Sequence, residues 1–142
     1  MLNCRTVAAL VLAMSIFAAQ ASAQGGSVRI PRSQIDAMFS NMKANTPWDL
    51  TGKLLWGYFF TSASKATLEN AARVLVGQGY TLVEILPLQP IAPRSAAEWQ
   101  LHVERVEHHT PDSLFSRDDE LYAFADAHGL TSYDGMDVGP VK

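Results

Sequence analysis

Residues 54–60 read Leu-Leu-Trp-Gly-Tyr-Phe-Phe, and this aromatic stretch decides the fold. Aromatic residues favour strands, because the pleated surface of a sheet gives their rings room to pack. Apolar side chains occupy both alternating sets of positions, which is typical of a strand with both faces at least partly buried. The stretch therefore predicts a central strand over residues 53–61, with the rest of the domain built around it.

The next segment carries the pattern of a helix followed by a second strand. Ser62 or Ser64 can cap a helix that Gly77 and Gly79 end. Its apolar stripe, at helical spacing, consists of Leu68, Ala71, Ala72 and Leu75. The second strand is predicted over residues 80–86, and the prolines at 87, 90 and 93 predict an exposed connection after it.

A third strand, a second helix and a fourth strand complete this pattern. Residues 98–107 alternate, with Trp99, Leu101 and Val103 on one face and Gln100, His102 and Glu104 on the other. Thr110 and Pro111 fit the cap and first position of a helix. Ser116-x-x-Asp119 resembles a capping box at which that helix could restart. Gly129 ends the helix, and residues 132–139 hold a turn and a short last strand.

A short amphipathic helix is predicted ahead of the aromatic strand, from Ser33 as its cap to about Asn45. Its apolar face consists of Ile35, Met38, Phe39 and Met42. This face would pack against the domain or, as the alternative, dock a partner. The whole order predicts an α+β fold of the ferredoxin-like split βαβ type (βαββαβ). Its antiparallel sheet would carry both later helices on one face.

The order and the motifs resemble the regulator of ribonuclease activity B family. The resemblance lies in residues 54–60, in Gly-Gln-Gly-Tyr at 77–80, in Arg-Asp-Asp-Glu-Leu-Tyr-Ala-Phe-Ala at 117–125 and in Ser-Tyr-Asp-Gly at 132–135. The family commonly continues this last motif with Trp, where the chain has Met136. The resemblance covers about residues 33–141. It implies a protein that binds and inhibits ribonuclease E in the cytoplasm, with no catalytic residues and no cofactor.

Residues 1–23 predict a secretory signal peptide. They contain Arg5, an apolar run over residues 7–19, and Ala21-Ser22-Ala23 as a cleavage signal. The run is shorter than the roughly 20 residues that span a bilayer, so an export signal is favoured over a membrane anchor. Cleavage is expected before Gln24, or alternatively before Ser22. The predicted organisation is a signal at 1–23, a flexible leader at 24–32 and one domain at 33–142, with a periplasmic or secreted mature form.

Charge and cysteine content narrow the function classes. Cleavage leaves 119 of the 142 residues and removes one Arg, which takes the formal net charge from −3 to −4. An acidic chain with scattered basic residues is a poor binder of nucleic acid. Cys4 is the only cysteine and would leave with the signal, so the mature chain would form no disulfide and no thiolate site.

Three groups of residues are candidates for interaction. Trp56, Tyr58 and Phe60 share one strand face, which would be buried under the first helix or form a protein-binding surface. A second candidate is the acidic helix surface, a docking site for a basic partner or a solvated face, formed by Asp112, Asp118, Asp119, Glu120 and Asp126. The third is the family motif Tyr133, Asp134 and Gly135, for which a turn is favoured over a calcium loop.

A metal site at His102 and Glu104 is weighed against a solvated strand face, which is the favoured interpretation. We therefore expect a non-catalytic module that binds an unknown protein partner, not nucleic acid, and that keeps no membrane anchor after cleavage. The alternatives are a cytoplasmic inhibitor of ribonuclease E, if the signal is not used, and a small periplasmic enzyme without a recognisable motif.

Overall fold

The computed structural model describes residues 28–90 and 96–142. The predicted signal peptide lies outside these residues. The elements are α1 (Arg32–Asn45), β1 (Leu54–Ser62), α2 (Lys65–Gly77), β2 (Thr81–Leu88), β3 (Glu98–Glu107), α3 (Pro111–Ala127) and β4 (Ser132–Gly139). In the part of the chain that the structure describes, no helix combines the length and the apolar content that a membrane span needs.

The four strands form one antiparallel sheet in the order β2-β3-β1-β4. The aromatic strand β1 lies inside it, paired with β3 on one side and β4 on the other. Each of the two strand–helix–strand units leaves room for one strand between its own strands, which is the split βαβ arrangement. The ferredoxin-like fold predicted from the order of elements is confirmed.

The two faces of the sheet differ in their cover. On the helix face, Trp56, Tyr58 and Phe60 of β1 are completely buried, as are Leu101 and Val103 of β3. Phe124 of α3 packs on Phe60 and Phe39 of α1 packs on Trp56, so both helices lie on this side. The other side, which we call the open face, carries the alternate residues of each strand, and none of the described helices packs over it.

Both edge strands have a register shift. Strand β2 exposes Leu82, Val83 and Leu86, each by more than two fifths, and its register shift lies between Leu82 and Glu84, its one charged residue. Strand β4 has a register shift opposite Phe59 and Phe60 and carries two aspartates. A bulge and charged side chains are the usual means by which proteins prevent unwanted pairing at a sheet edge.

Three local predictions were wrong. Helix α1 starts two residues earlier than expected, because Pro31 rather than Ser33 occupies its N-cap. Helix α3 runs without a restart at Ser116, since the capping box forms between Thr110 and Ser113. Pro87 lies within β2 and is paired with Trp99. A proline is tolerated at this position because β2 is an edge strand.

Candidate functional site

The aromatic residues of β1 do not form a binding surface. Trp56, Tyr58 and Phe60 have no exposed area, and they face the helices instead of the uncovered side of the sheet. Helix α1 covers one end of this set, with the rings of Phe39 and Trp56 stacked at 6.1 Å between centroids. The favoured prediction, burial beneath α1, is confirmed for Trp56, whereas Phe60 is buried against Phe124 of α3.

The segment ahead of α1 is held on α3. The backbone N–H of Ile30 donates a 2.8 Å hydrogen bond to Tyr122 Oη, and Arg29 forms a 2.7 Å ion pair with Asp119. Residues 28–31 belong to the part of the chain predicted as a flexible leader. Their contacts fix the direction in which the chain enters α1.

Deleting residues 24–45 from the mature chain is expected to expose the Trp56 end of the core. The deletion removes the buried side chains of Ile35, Met38 and Met42, together with the Phe39 ring. We expect the remnant to bind a hydrophobic dye and to show tryptophan fluorescence at longer wavelength. A matched deletion of residues 24–27 should change neither signal. Identical spectra for the two deletions would contradict the role of α1 as a cover.

Asp118 and Tyr133, two residues of the family motifs, form a buried pair between α3 and β4. Tyr133 donates a 2.7 Å hydrogen bond to Asp118 Oδ1, and Asp118 is only 1% exposed. Asp118 Oδ2 has no hydrogen-bond partner among the described residues. Burial raises the pKa of Asp118 to about 6, against the lowering effect of the Tyr133 hydrogen bond and of His109. Both residues are inaccessible to a partner and hold two elements together.

The acidic surface predicted on α3 is largely neutralised by arginines. Arg32 pairs with Asp112 at 2.5 Å, and Arg117 pairs with Glu120 at 2.8 Å. Asp119 pairs with Arg29 as described above, and Asp118 is buried. A basic partner would have to displace these arginines, which weakens the hypothesis that α3 is its docking site.

A second buried network lies where β3 leads into α3, around the carboxylate of Glu107. Tyr58 donates to Glu107 Oε1 at 2.7 Å, His109 Nε2 lies 2.9 Å from the same oxygen, and Arg117 donates to Oε2 at 2.9 Å. Burial alone would raise the pKa of Glu107, but the hydrogen bonds from His109 and Tyr58 and the charge of Arg117 lower it to about 2. The network connects β1, β3 and α3.

Five carboxylates lie on the open face, spread over three strands. They belong to Glu84 of β2, Glu98 and Glu104 of β3, and Asp134 and Asp137 of β4. The four strands contain one Lys or Arg, Arg105, which is paired with Trp56 on the helix face. Half-buried Leu55 and Phe59 of β1 form the floor between the acidic strands. The open face is therefore acidic at its sides and apolar at its centre.

Gly57, which has no side chain, lets two neighbouring side chains close over the middle of this face. A Cβ atom at position 57 would collide with Asp137 Oδ1 and would lie 2.8 Å from His102 Nε2, so both side chains lean over the glycine. Glu104 Oε1 is 3.7 Å from the same His102 nitrogen. His102 Nε2 is buried and makes no hydrogen bond within the described residues. The His102 ring stacks on the Phe59 ring at 4.4 Å between centroids.

The predicted partnership of His102 and Glu104 on one strand face is present, but it does not amount to a metal site. Among residues 28–90 and 96–142, no three His, Cys, Asp or Glu side chains are placed to hold a metal ion. The turn that was favoured over a calcium loop at Asp134 and Gly135 is replaced by strand, since both residues lie in β4 at the register shift and Gly135 has a φ of 117°. Glycine suits this left-handed backbone, so the motif serves strand geometry.

Sequence reasoning missed the open face as a unit. The alternation in residues 98–107 correctly separated His102 and Glu104 from the buried side chains. It could not predict that Asp137 lies next to them, because the pairing of β1 with both β3 and β4 joins residues that are far apart in the sequence. The available signal was Gly57, a residue without a side chain inside an otherwise aromatic strand, which indicates close approach of a neighbour.

Comparison with known proteins identifies the family. No curated protein matches the chain. A family model, that of regulator of ribonuclease activity B, matches residues 32–138, which is about three quarters of the chain and spans every described element from α1 to β4. The members of this family are regulators rather than catalysts, and their role is a protein-binding one related to ribonuclease E. The chain belongs to the regulator of ribonuclease activity B family.

Proposed function

We propose that this chain is an exported regulatory module that binds a protein partner and alters its activity without chemistry of its own. The single observation that carries the binding role is the uncovered face of the sheet, on which charged and half-buried apolar side chains lie side by side. Membership in a family of protein-binding regulators supports the same role. The net negative charge supports a protein rather than a nucleic acid as the partner.

Export is the part of the proposal that separates this chain from a cytoplasmic regulator. Its support is the charge, apolar run and small residues of positions 1–23. An exported form would meet a partner other than cytoplasmic ribonuclease E. The absence of cysteine after position 4 means that the mature domain would depend on its core, not on disulfides, for stability outside the cytoplasm.

Cell fractionation with amino-terminal sequencing tests export directly. We expect the protein in the periplasmic or secreted fraction with Gln24 as its first residue. A cytoplasmic protein that retains Cys4 would overturn export. Affinity capture from the fraction that contains the native form would then identify proteins that co-purify with it.

The alternative is a cytoplasmic inhibitor of ribonuclease E, and family membership is the observation that favours it. Adding the purified protein to a ribonuclease E cleavage assay separates the two proposals. Inhibition at a concentration near that of the enzyme would favour the alternative. No inhibition, together with an exported native form, would favour a different target.

One group of side chains provides an observation in favour of a second function class, a small hydrolase. Ser113 Oγ is 2.9 Å from His109 Nδ1, and His109 Nε2 is 2.9 Å from Glu107, the order of a serine–histidine–acid chain. The same Ser113 Oγ accepts the backbone N–H of Thr110 in the capping box. Its lone pairs therefore serve the start of α3, and we favour that structural role. Covalent labelling of Ser113 by a fluorophosphonate would support the hydrolase instead.

A further inference from the structure

The open face has negative charge at its sides and an apolar centre, and this combination suits the binding of a cationic chain. Among the strand residues, its ionised groups are the five carboxylates named above, and His102 is the one basic side chain beside them. No described Lys or Arg forms an ion pair with Glu84, Glu98, Asp134 or Asp137, whereas the acidic residues at 112, 119 and 120 on α3 all have arginine partners. The charges of the open face are thus available to a partner.

Burial and neighbouring carboxylates both disfavour the ionised forms of the aspartates on this face. Burial raises the pKa of Asp137, and Glu104 raises it further while His102 lowers it. Burial likewise raises the pKa of Asp134, where the hydrogen bond from Gln100 lowers it and Glu98 raises it. A cationic group placed between these carboxylates would relieve the repulsion on both sides of β1. An anionic chain such as RNA would add to it.

The centre of the open face distinguishes an arginine side chain from a lysine side chain. Phe59 and His102 stack on one another with their rings tilted by only 21°, beside the Asp137 side chain that leans over Gly57. A planar guanidinium can stack on the outer face of this ring pair while its N–H groups donate to flanking carboxylates, whereas a lysine ammonium is a point charge. Leu55 and exposed Leu86 offer contacts to aliphatic stems.

We propose that the open face docks an arginine-bearing segment of the regulated protein, with one arginine side chain donating to Asp137 and Glu104, the carboxylates that flank Gly57. This inference rests on the protein-binding function proposed above and adds the chemistry of the partner. It moves the docking site from the acidic surface of α3 to the opposite side of the sheet.

The test measures binding of fluorescein-labelled octa-arginine to the purified protein by fluorescence anisotropy. The double variant Glu104→Gln/Asp137→Asn removes two charges from the open face. The matched control, Glu69→Gln/Asp126→Asn, removes two charges from exposed positions on α2 and α3. We expect the first variant to weaken binding by about tenfold and the control by less than about twofold, since both lose the same net charge. Equal weakening would show general attraction to an acidic protein and would overturn the proposal.

Three further measurements on the wild-type protein keep the test independent of variant folding, and one added variant extends the second of them. In wild-type protein, octa-arginine should shift the backbone amide signals of Gly57, Phe59, His102 and Asp137, and shifts confined to α3 would overturn the proposal. Octa-arginine should bind more tightly than octa-lysine, and Phe59→Leu should remove that preference. Tighter binding of a labelled ten-nucleotide oligouridine than of octa-arginine would also overturn it.

The native partner distinguishes this inference from the proposed function. A captured partner that binds the Glu104→Gln/Asp137→Asn variant as well as wild type would leave the regulatory binding role intact and would exclude the open face as its docking site. A partner that loses binding to this variant and keeps binding to the Glu69→Gln/Asp126→Asn control would support both.

Discussion

Replacing Glu107 with glutamine is expected to lower the free energy of unfolding by about 3 kcal/mol at pH 7. The carboxylate is the shared acceptor for Tyr58, His109 and Arg117, and its side chain is 13% exposed. Glutamine keeps the shape but removes the charge and turns one acceptor into a donor. Arg117 would then keep its buried charge without its main partner. Urea unfolding followed by tryptophan fluorescence measures the change.

The matched control is Glu120→Gln, which removes the other carboxylate bound to Arg117. Glu120 is 64% exposed, so its loss should cost about 0.2–1 kcal/mol. Equal effects of the two variants would contradict the importance of burial in this network.

The effect of Glu107→Gln should also depend on pH. The pKa of Glu107 is about 2 in the folded protein, below its model-peptide value of 4.5, so its contribution to stability is complete above about pH 4.5. It is lost as the pH falls through 2. The difference between wild type and variant should therefore shrink between pH 4.5 and 2, and a difference that stays constant over this range would contradict the lowered pKa.

The second large effect has the opposite sign. Asp118→Asn is expected to raise the free energy of unfolding at pH 8 by as much as about 3 kcal/mol, at 1.36 kcal/mol for each pKa unit. The pKa of Asp118 rises from 3.8 to about 6 on folding, so the protein pays to bury an ionised carboxylate at neutral pH. Asparagine lacks that charge and retains an oxygen that can accept the hydrogen bond from Tyr133.

The pH dependence of Asp118→Asn separates this cause from a change in packing. Below pH 3.8 the carboxyl is protonated in both folded and unfolded chains, and the variant should match wild type. As the pH rises from 3.8 through 6, wild type loses stability at this site and the variant does not. Asp119→Asn, the neighbouring exposed change, should show no such gain. A destabilised Asp118→Asn protein at pH 8 would contradict the raised pKa.

The sequence was informative wherever structure depends on local spacing. The aromatic strand, the alternation of β3, the cap at Thr110 and a cap at Ser62 or Ser64, of which the structure uses Ser64, were predicted, because each is a property of adjacent or near-adjacent residues. Family motifs pointed to Asp118 and Tyr133 but not to their contact, which joins residues fifteen positions apart. The side of the sheet that Trp56 faces depends on where both crossovers pass, and no pattern within β1 encodes that.

The Glu107 network illustrates a different limit. No local pattern of the sequence singles out Glu107 or His109. Only the turn from β3 into α3 brings His109 between a tyrosine of β1 and a serine of α3, where it is buried and hydrogen-bonded. The residue types indicate a polar site, but the path of the chain determines which groups contact one another there.

The edges of the sheet also set a limit on self-association. Strand β2 exposes Leu82, Val83 and Leu86, but its register shift between Leu82 and Glu84 and its Pro87 interrupt the row of backbone groups that a second copy would pair with. The bulge and aspartates of β4 disfavour pairing at the other edge. Strand addition is therefore disfavoured at both edges, and this protection from fibre formation lies in backbone geometry instead of net charge.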